Sequence, residues 1–131
     1  MAKINNLEMA EAVSSHPSIK IRHSFFGLIQ SVIYEPSGSP VEIVVQDYSP
    51  DDGERLEKLL FLPLERLKSE IESKGKPART AIGNFRLEAC LSRDHRFCAL
   101  QLFRFVDFNY APATEPLFYE GEAAETIVKL I

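Results

Sequence analysis

The strongest constraint on the fold is a pair of β-rich runs joined by only four residues. In the first run, Phe85–Leu91, large apolar side chains alternate with polar or small ones. Ser92–His95 follows as a polar turn, and the return run Arg96–Phe108 is apolar on both sides, which favours a strand covered on both faces. Because parallel strands need a crossover of about a dozen residues or more, these runs predict an antiparallel hairpin.

An earlier part of the chain predicts a second hairpin. Alternating apolar residues from Ile19 to Ile33 indicate one long strand, with Gly27 as a natural place for a bulge. The segment Glu35–Pro40 has the composition of a turn, and the β-branched run Val41–Val45 follows it. We therefore expect the long strand to pair with this run.

Three helices are predicted around the hairpins. The first runs from a capping residue at Asn5 to His16, where Pro17 ends it. The second has a strong start signal, Ser49 followed by a proline and acidic residues, and runs to Gly75 with a kink or a break at Pro63. The segment 121–131 favours a last helix, although its β-branched end would also fit a strand.

The predicted order is helix, hairpin, helix, hairpin, helix, which favours an α+β fold with helices packed on one face of an antiparallel sheet. A length of 131 residues is typical of one domain, so we expect residues 1–131 to form a single domain. A hairpin and helix occur twice, in 19–73 and 79–131, which suggests an architectural repeat. The order is similar to that of small acidic bacterial secretion chaperones, a similarity of architecture alone.

Targeting and redox features predict a cytoplasmic protein without a membrane partner. No apolar run reaches the roughly 18 residues that a membrane-spanning helix needs, and the N-terminus lacks the apolar middle of a secretion signal. Cys90 and Cys98 are too few for a disulfide framework and lack the spacing of redox or zinc motifs. We expect both thiols to be reduced.

The charge pattern gives the leading functional hypothesis. The net charge of −4 argues against non-specific nucleic-acid binding. Residues 74–104, however, hold seven Lys or Arg against two Asp or Glu. We therefore predict a non-enzymatic interaction module whose basic hairpin docks on an acidic protein surface, with nucleic acid as a weaker alternative. The simpler interpretation is that the cations form ion pairs within the chain. The predicted binding residues are Lys76, Arg79, Arg86, Arg96 and Arg104.

A second hypothesis is a small-molecule-binding domain or small enzyme. The chain contains none of the phosphate-binding, dinucleotide-binding, zinc-protease or nucleophile-elbow motifs, so no catalytic residue, metal ligand or cofactor is predicted. His16 and His95 are expected at exposed positions, at a helix end and in a turn. A pocket between sheet and helices would draw its polar groups from His23, Tyr34, Tyr48 and Tyr110.

The sequence also predicts a homodimer. The strand Phe97–Phe105 carries large apolar side chains on both faces, and three helices of modest length are too few to cover both sides of the sheet. Pairing with a second copy around a two-fold axis would bury the uncovered face. In the competing arrangement, the C-terminal helix with Ile127 and Leu130 covers this face within one chain.

Overall fold

The structure, a computed structural model, describes residues 6–131, which form four helices and two antiparallel sheets. The predicted α+β class is therefore confirmed. The helices are α1 (Leu7–Ser15), α2 (Pro50–Leu60), α3 (Leu64–Lys74) and α4 (Glu122–Leu130). The strands are β1 (Ile19–His23), β2 (Ile29–Tyr34), β3 (Ser39–Pro40), β4 (Glu42–Tyr48), β5 (Arg79–Thr80), β6 (Phe85–Leu91), β7 (Phe97–Val106), β8 (Asn109–Pro112) and β9 (Leu117–Glu120).

The strands divide into a small sheet and a larger one. Sheet A contains β1, β2 and β3 in that order, and sheet B has the order β5-β4-β6-β7-β8, with β9 also paired to β7. Four short strands were not predicted: β3, β5, β8 and β9. The observed order therefore contains more strands than the predicted one. The single domain 1–131 and the repeat of 19–73 and 79–131 stay predictions.

The hairpin of β6 and β7 is antiparallel, as predicted, and its register decides where the cysteines lie. Leu91 is opposite Cys98 and Cys90 is opposite Ala99, so the two cysteines point to opposite faces of sheet B. Both thiols are free and buried, and burial raises the pKa of Cys90 to about 12. A disulfide between them is excluded by this geometry.

The predicted long strand Ile19–Ile33 is wrong, because the chain reverses inside it. The Ser24 N–H donates to the Leu28 carbonyl at 2.7 Å, and Gly27 adopts a φ of +81°, so these residues form a tight turn between β1 and β2. The run Val41–Val45 does not return along this strand either. The short β3 pairs with β2 on the edge away from β1, and β4 joins sheet B instead.

The start of α2 and the break at Pro63 agree with the prediction from the sequence. The Ser49 hydroxyl accepts the Asp52 N–H at 3.2 Å, and α2 ends before Pro63, after which α3 begins. Asn6 caps α1 by accepting the Met9 N–H at 3.0 Å, whereas the predicted cap Asn5 lies outside the described residues. No helix in the described part of the chain is long and apolar enough to cross a membrane.

Sheet B is covered on both of its faces. The first face packs against α2, α3 and α4 in a core that contains Leu56, Leu100 and Ile127. The second face packs against α1 and sheet A in a separate core around Val13 and Phe97. The prediction that all helices pack on one face is therefore wrong for α1. Because β7 is apolar on both sides, each side packs against its own set of helices or strands.

Because sheet B is covered on both faces, a dimer contact would have to form on another surface. Residues 97–103 of β7 are buried within one chain, so the sheet face on which the prediction rested is not open. The two-fold dimer stays a prediction, and its contact would fall on other exposed apolar side chains, such as Phe61 between α2 and α3. Light scattering is expected to give a mass of about twice 14.8 kDa, and a mass near 14.8 kDa would contradict the dimer.

Candidate functional site

Four of the five predicted basic residues lie at one end of sheet B. Arg79 in β5 is opposite Tyr48, and Lys76 lies three residues before Arg79. Arg86 is at the start of β6, and Arg104 is opposite the neighbouring residue, Phe85. We call this region, formed by β5, the 75–84 segment and the facing ends of β4, β6 and β7, the cationic end. Arg96 lies at the opposite end of the sheet.

Two of these arginines are already neutralised within the chain. The Arg86 Nε donates to Asp47 Oδ1 at 3.1 Å, and its guanidinium lies 4.1 Å from the centre of the Tyr110 ring. Arg104 points to the other face of the sheet, where its Nη2 is 3.6 Å from Glu57 Oε2. Arg96, at the far end, pairs with a carboxylate of α4 at 2.9 Å. Such pairs leave little charge for a partner.

Lys76 and Arg79 differ from these arginines. Both side chains are exposed, and neither has a carboxylate within ion-pair distance among residues 6–131. No Asp or Glu occurs between Ser73 and Leu87, so the segment itself supplies no carboxylate to these two cations. The charge of this segment is therefore available for binding.

The 75–84 segment is held in place by its backbone. The Arg55 guanidinium donates to the Gly75 carbonyl at 2.6 Å, which ties the start of the segment to α2. Near its end, Gly83 packs so closely on the Tyr48 carbonyl that any side chain would overlap it. Between them, the side chain of Ile82 is 89% exposed. The result is a fixed cationic segment with one projecting apolar residue.

The second face of sheet B carries a polar pair next to Arg86, formed by a half-buried glutamate and a buried glutamine. Glu88 is opposite Gln101, which is fully buried. Within the described residues, Glu88 Oε2 and Gln101 Oε1 have no hydrogen-bond partner. Burial raises the pKa of the Glu88 carboxyl, against the opposing effect of Arg86. Glu88 therefore keeps its proton to a higher pH than an exposed glutamate does.

The residues of the predicted pocket do not come together. Tyr34 stacks on Phe97 in the second-face core, with ring centres 5.5 Å apart. Tyr48 is buried in the first-face core, where burial raises its pKa to about 12. His23 is exposed at the end of β1, and Tyr110 lies on β8 beside Arg86. Sheet B separates Tyr34 from Tyr48.

Two aromatic features of the structure were not predicted from the sequence. His16, expected to be exposed, donates from its Nε2 towards Glu120 at 2.8 Å and contacts Phe97 and Phe118 through its ring. In the turn between β1 and β2, Phe25 and Phe26 are almost fully exposed. The adjacent phenylalanines beside a glycine were a signal for this turn, but the alternating pattern around them favoured a continuous strand.

The fold and these surfaces define an α+β protein with a cationic, partly apolar region at one end of its larger sheet. No family model matches the chain, and no curated protein or solved structure matches it. Its function therefore has to follow from the chemistry of its surfaces.

Proposed function

We propose that the protein is a non-enzymatic interaction module that docks on an acidic protein surface through its cationic end. The observation that carries this proposal is the pair Lys76 and Arg79, which are exposed and have no carboxylate partner among residues 6–131. Their segment is fixed by backbone contacts, so docking loses less conformational entropy than it would with a mobile loop. Ile82 adds an apolar contact beside the two charges.

An acidic protein fits this surface better than a nucleic acid does. A nucleic-acid binder needs several cations in a row to neutralise successive phosphates. At the cationic end, Arg86 and Arg104 are paired with Asp47 and Glu57, and the whole chain is acidic. Two cations without a carboxylate partner in the described part of the chain, next to an apolar side chain, can instead orient a protein partner whose surface carries a few carboxylates.

The K76Q/R79Q variant tests the proposal with a fluorescein-labelled oligoglutamate as the acidic probe. We expect its affinity for the probe to fall roughly fivefold, because each exposed ion pair contributes about 0.5 kcal/mol. Wild-type binding should also weaken with added salt, since exposed charges are screened. Fluorescence anisotropy measures both effects.

The control for net charge is R93Q/R96Q, which removes the same formal charge at the opposite end of sheet B, where Arg96 is paired with Glu125. It should bind the probe almost as well as the wild type does. An equal loss in both variants would show that only net charge matters, and a wild type that does not bind the probe would contradict an acidic partner.

A further inference from the structure

The turn between β1 and β2 projects three large apolar side chains into solvent. We call residues 24–28 the tip. Phe25 is 97% exposed, Phe26 is 85% exposed and Leu28 is 70% exposed. The two aromatic rings contact each other edge to face, with centres 5.4 Å apart. Fully exposed large apolar groups are unfavourable in water, and three together indicate a binding surface.

The tip is built to hold this conformation. The Ser24 N–H and the Leu28 carbonyl close the turn at 2.7 Å, and the Ser24 hydroxyl accepts the Leu28 N–H at 3.2 Å. Gly27, with a φ of +81°, occupies the left-handed region that other residues rarely adopt. The strands below the tip are anchored, because Ile21 and Ile29 pack against the second-face core. The phenylalanines are therefore presented on a fixed support.

The strand β1, which leads into the tip, is cationic. Lys20 and Arg22 are exposed on β1 and have no ion-pair partner among residues 6–131. No Asp or Glu occurs between Glu11 and Glu35, although the whole chain has a net charge of −4. An apolar tip above a cationic base is complementary to a surface with an apolar interior and an anionic boundary.

We propose that the tip inserts into the surface of an anionic lipid bilayer, with Lys20 and Arg22 contacting the headgroups. Insertion into a bilayer requires apolar side chains that reach below the headgroups and cations that contact the anionic headgroups. The sequence predicted no membrane partner because it lacks a spanning run, but insertion of a turn requires none.

Vesicle cosedimentation tests the proposal with the whole chain. The wild type should bind vesicles of phosphatidylcholine and phosphatidylserine more tightly than vesicles of phosphatidylcholine alone. F25A/F26A should lose at least roughly a hundredfold in partitioning, because two exposed phenylalanines no longer enter the bilayer. K20Q/R22Q should lose roughly thirtyfold on the anionic vesicles. F61A is the matched control, since Phe61 is also exposed but lies between α2 and α3.

A fluorescence measurement reports insertion directly, because the chain contains no tryptophan. The emission of F26W should shift to the blue with anionic vesicles, and that of F61W should not. The proposal would be overturned if the wild type did not bind the vesicles, or if F25A/F26A and F61A lost vesicle binding equally. A blue shift of F26W with oligoglutamate but not with vesicles would also overturn it, in favour of an acidic protein. K76Q/R79Q should bind vesicles normally, so this test is independent of the cationic end.

Discussion

Replacing Phe97 with alanine is expected to lower the free energy of unfolding by about 4 kcal/mol, the usual cost of truncating a fully buried phenylalanine. Phe97 joins the elements of the second-face core. Its ring centre lies 5.0 Å from that of His16 after α1 and 5.5 Å from that of Tyr34 on β2. Phe118 on β9 completes the group at 6.4 Å. Urea unfolding followed by circular dichroism measures the change.

The matched control is the same substitution at Phe25, which is 97% exposed. Its stability should change by less than about 0.5 kcal/mol, because the side chain loses few contacts. The comparison separates burial from the intrinsic effect of removing a phenyl group. Similar losses at Phe97 and Phe25 would mean that α1 and sheet A do not pack on sheet B as described.

The second expected result is that Gly53→Ala destabilises the protein by about 2 kcal/mol. Helix propensity alone predicts the opposite sign, since alanine is favoured over glycine inside a helix by about 1 kcal/mol. Gly53 of α2, however, packs directly on β6. An added Cβ would lie 2.6 Å from the Cβ of Phe85, which no side-chain rotation can move. The helix must shift away from the sheet, and overpacking of this kind costs about 1 to 3 kcal/mol.

Glu54→Ala provides the control on the same helix. Glu54 is exposed, so the substitution tests the effect of alanine on α2 without the clash. Its stability in the same urea titration should stay within about 0.5 kcal/mol of the wild type. A Gly53→Ala variant that is as stable as this control, or more stable, would contradict the close contact between α2 and Phe85.

The proposed cationic end and the proposed lipid-binding tip use different parts of the chain. The cationic end lies on sheet B, and the tip lies on sheet A, whose strands pack against the second face of sheet B through Ile21 and Ile29. Each surface has its own charge variant, K76Q/R79Q or K20Q/R22Q. Because the two variants remove the same charge, each also serves as a control for net charge in the assay of the other.

Local signals in the sequence were sufficient for several elements. The short connection between β6 and β7 excluded a parallel pair, the serine and proline at the start of α2 marked its first turn, and Pro63 separated α2 from α3. These predictions succeeded because each physical cause acts within a few residues: chain reach, capping of free N–H groups, and the missing N–H of proline.

The tertiary structure alone decided which surfaces are available for binding. Arg86 is neutralised by Asp47, which is 39 positions away in the sequence. No residue near Arg86 in the sequence predicts that contact. The exposed Phe25 and Phe26 follow from the reversal of the chain at Gly27, where the alternating pattern fitted both a strand and a hairpin. A pattern of residue types determines which local structures are compatible with the sequence. Strand register and packing between distant segments determine which charges are paired and which apolar groups remain in water.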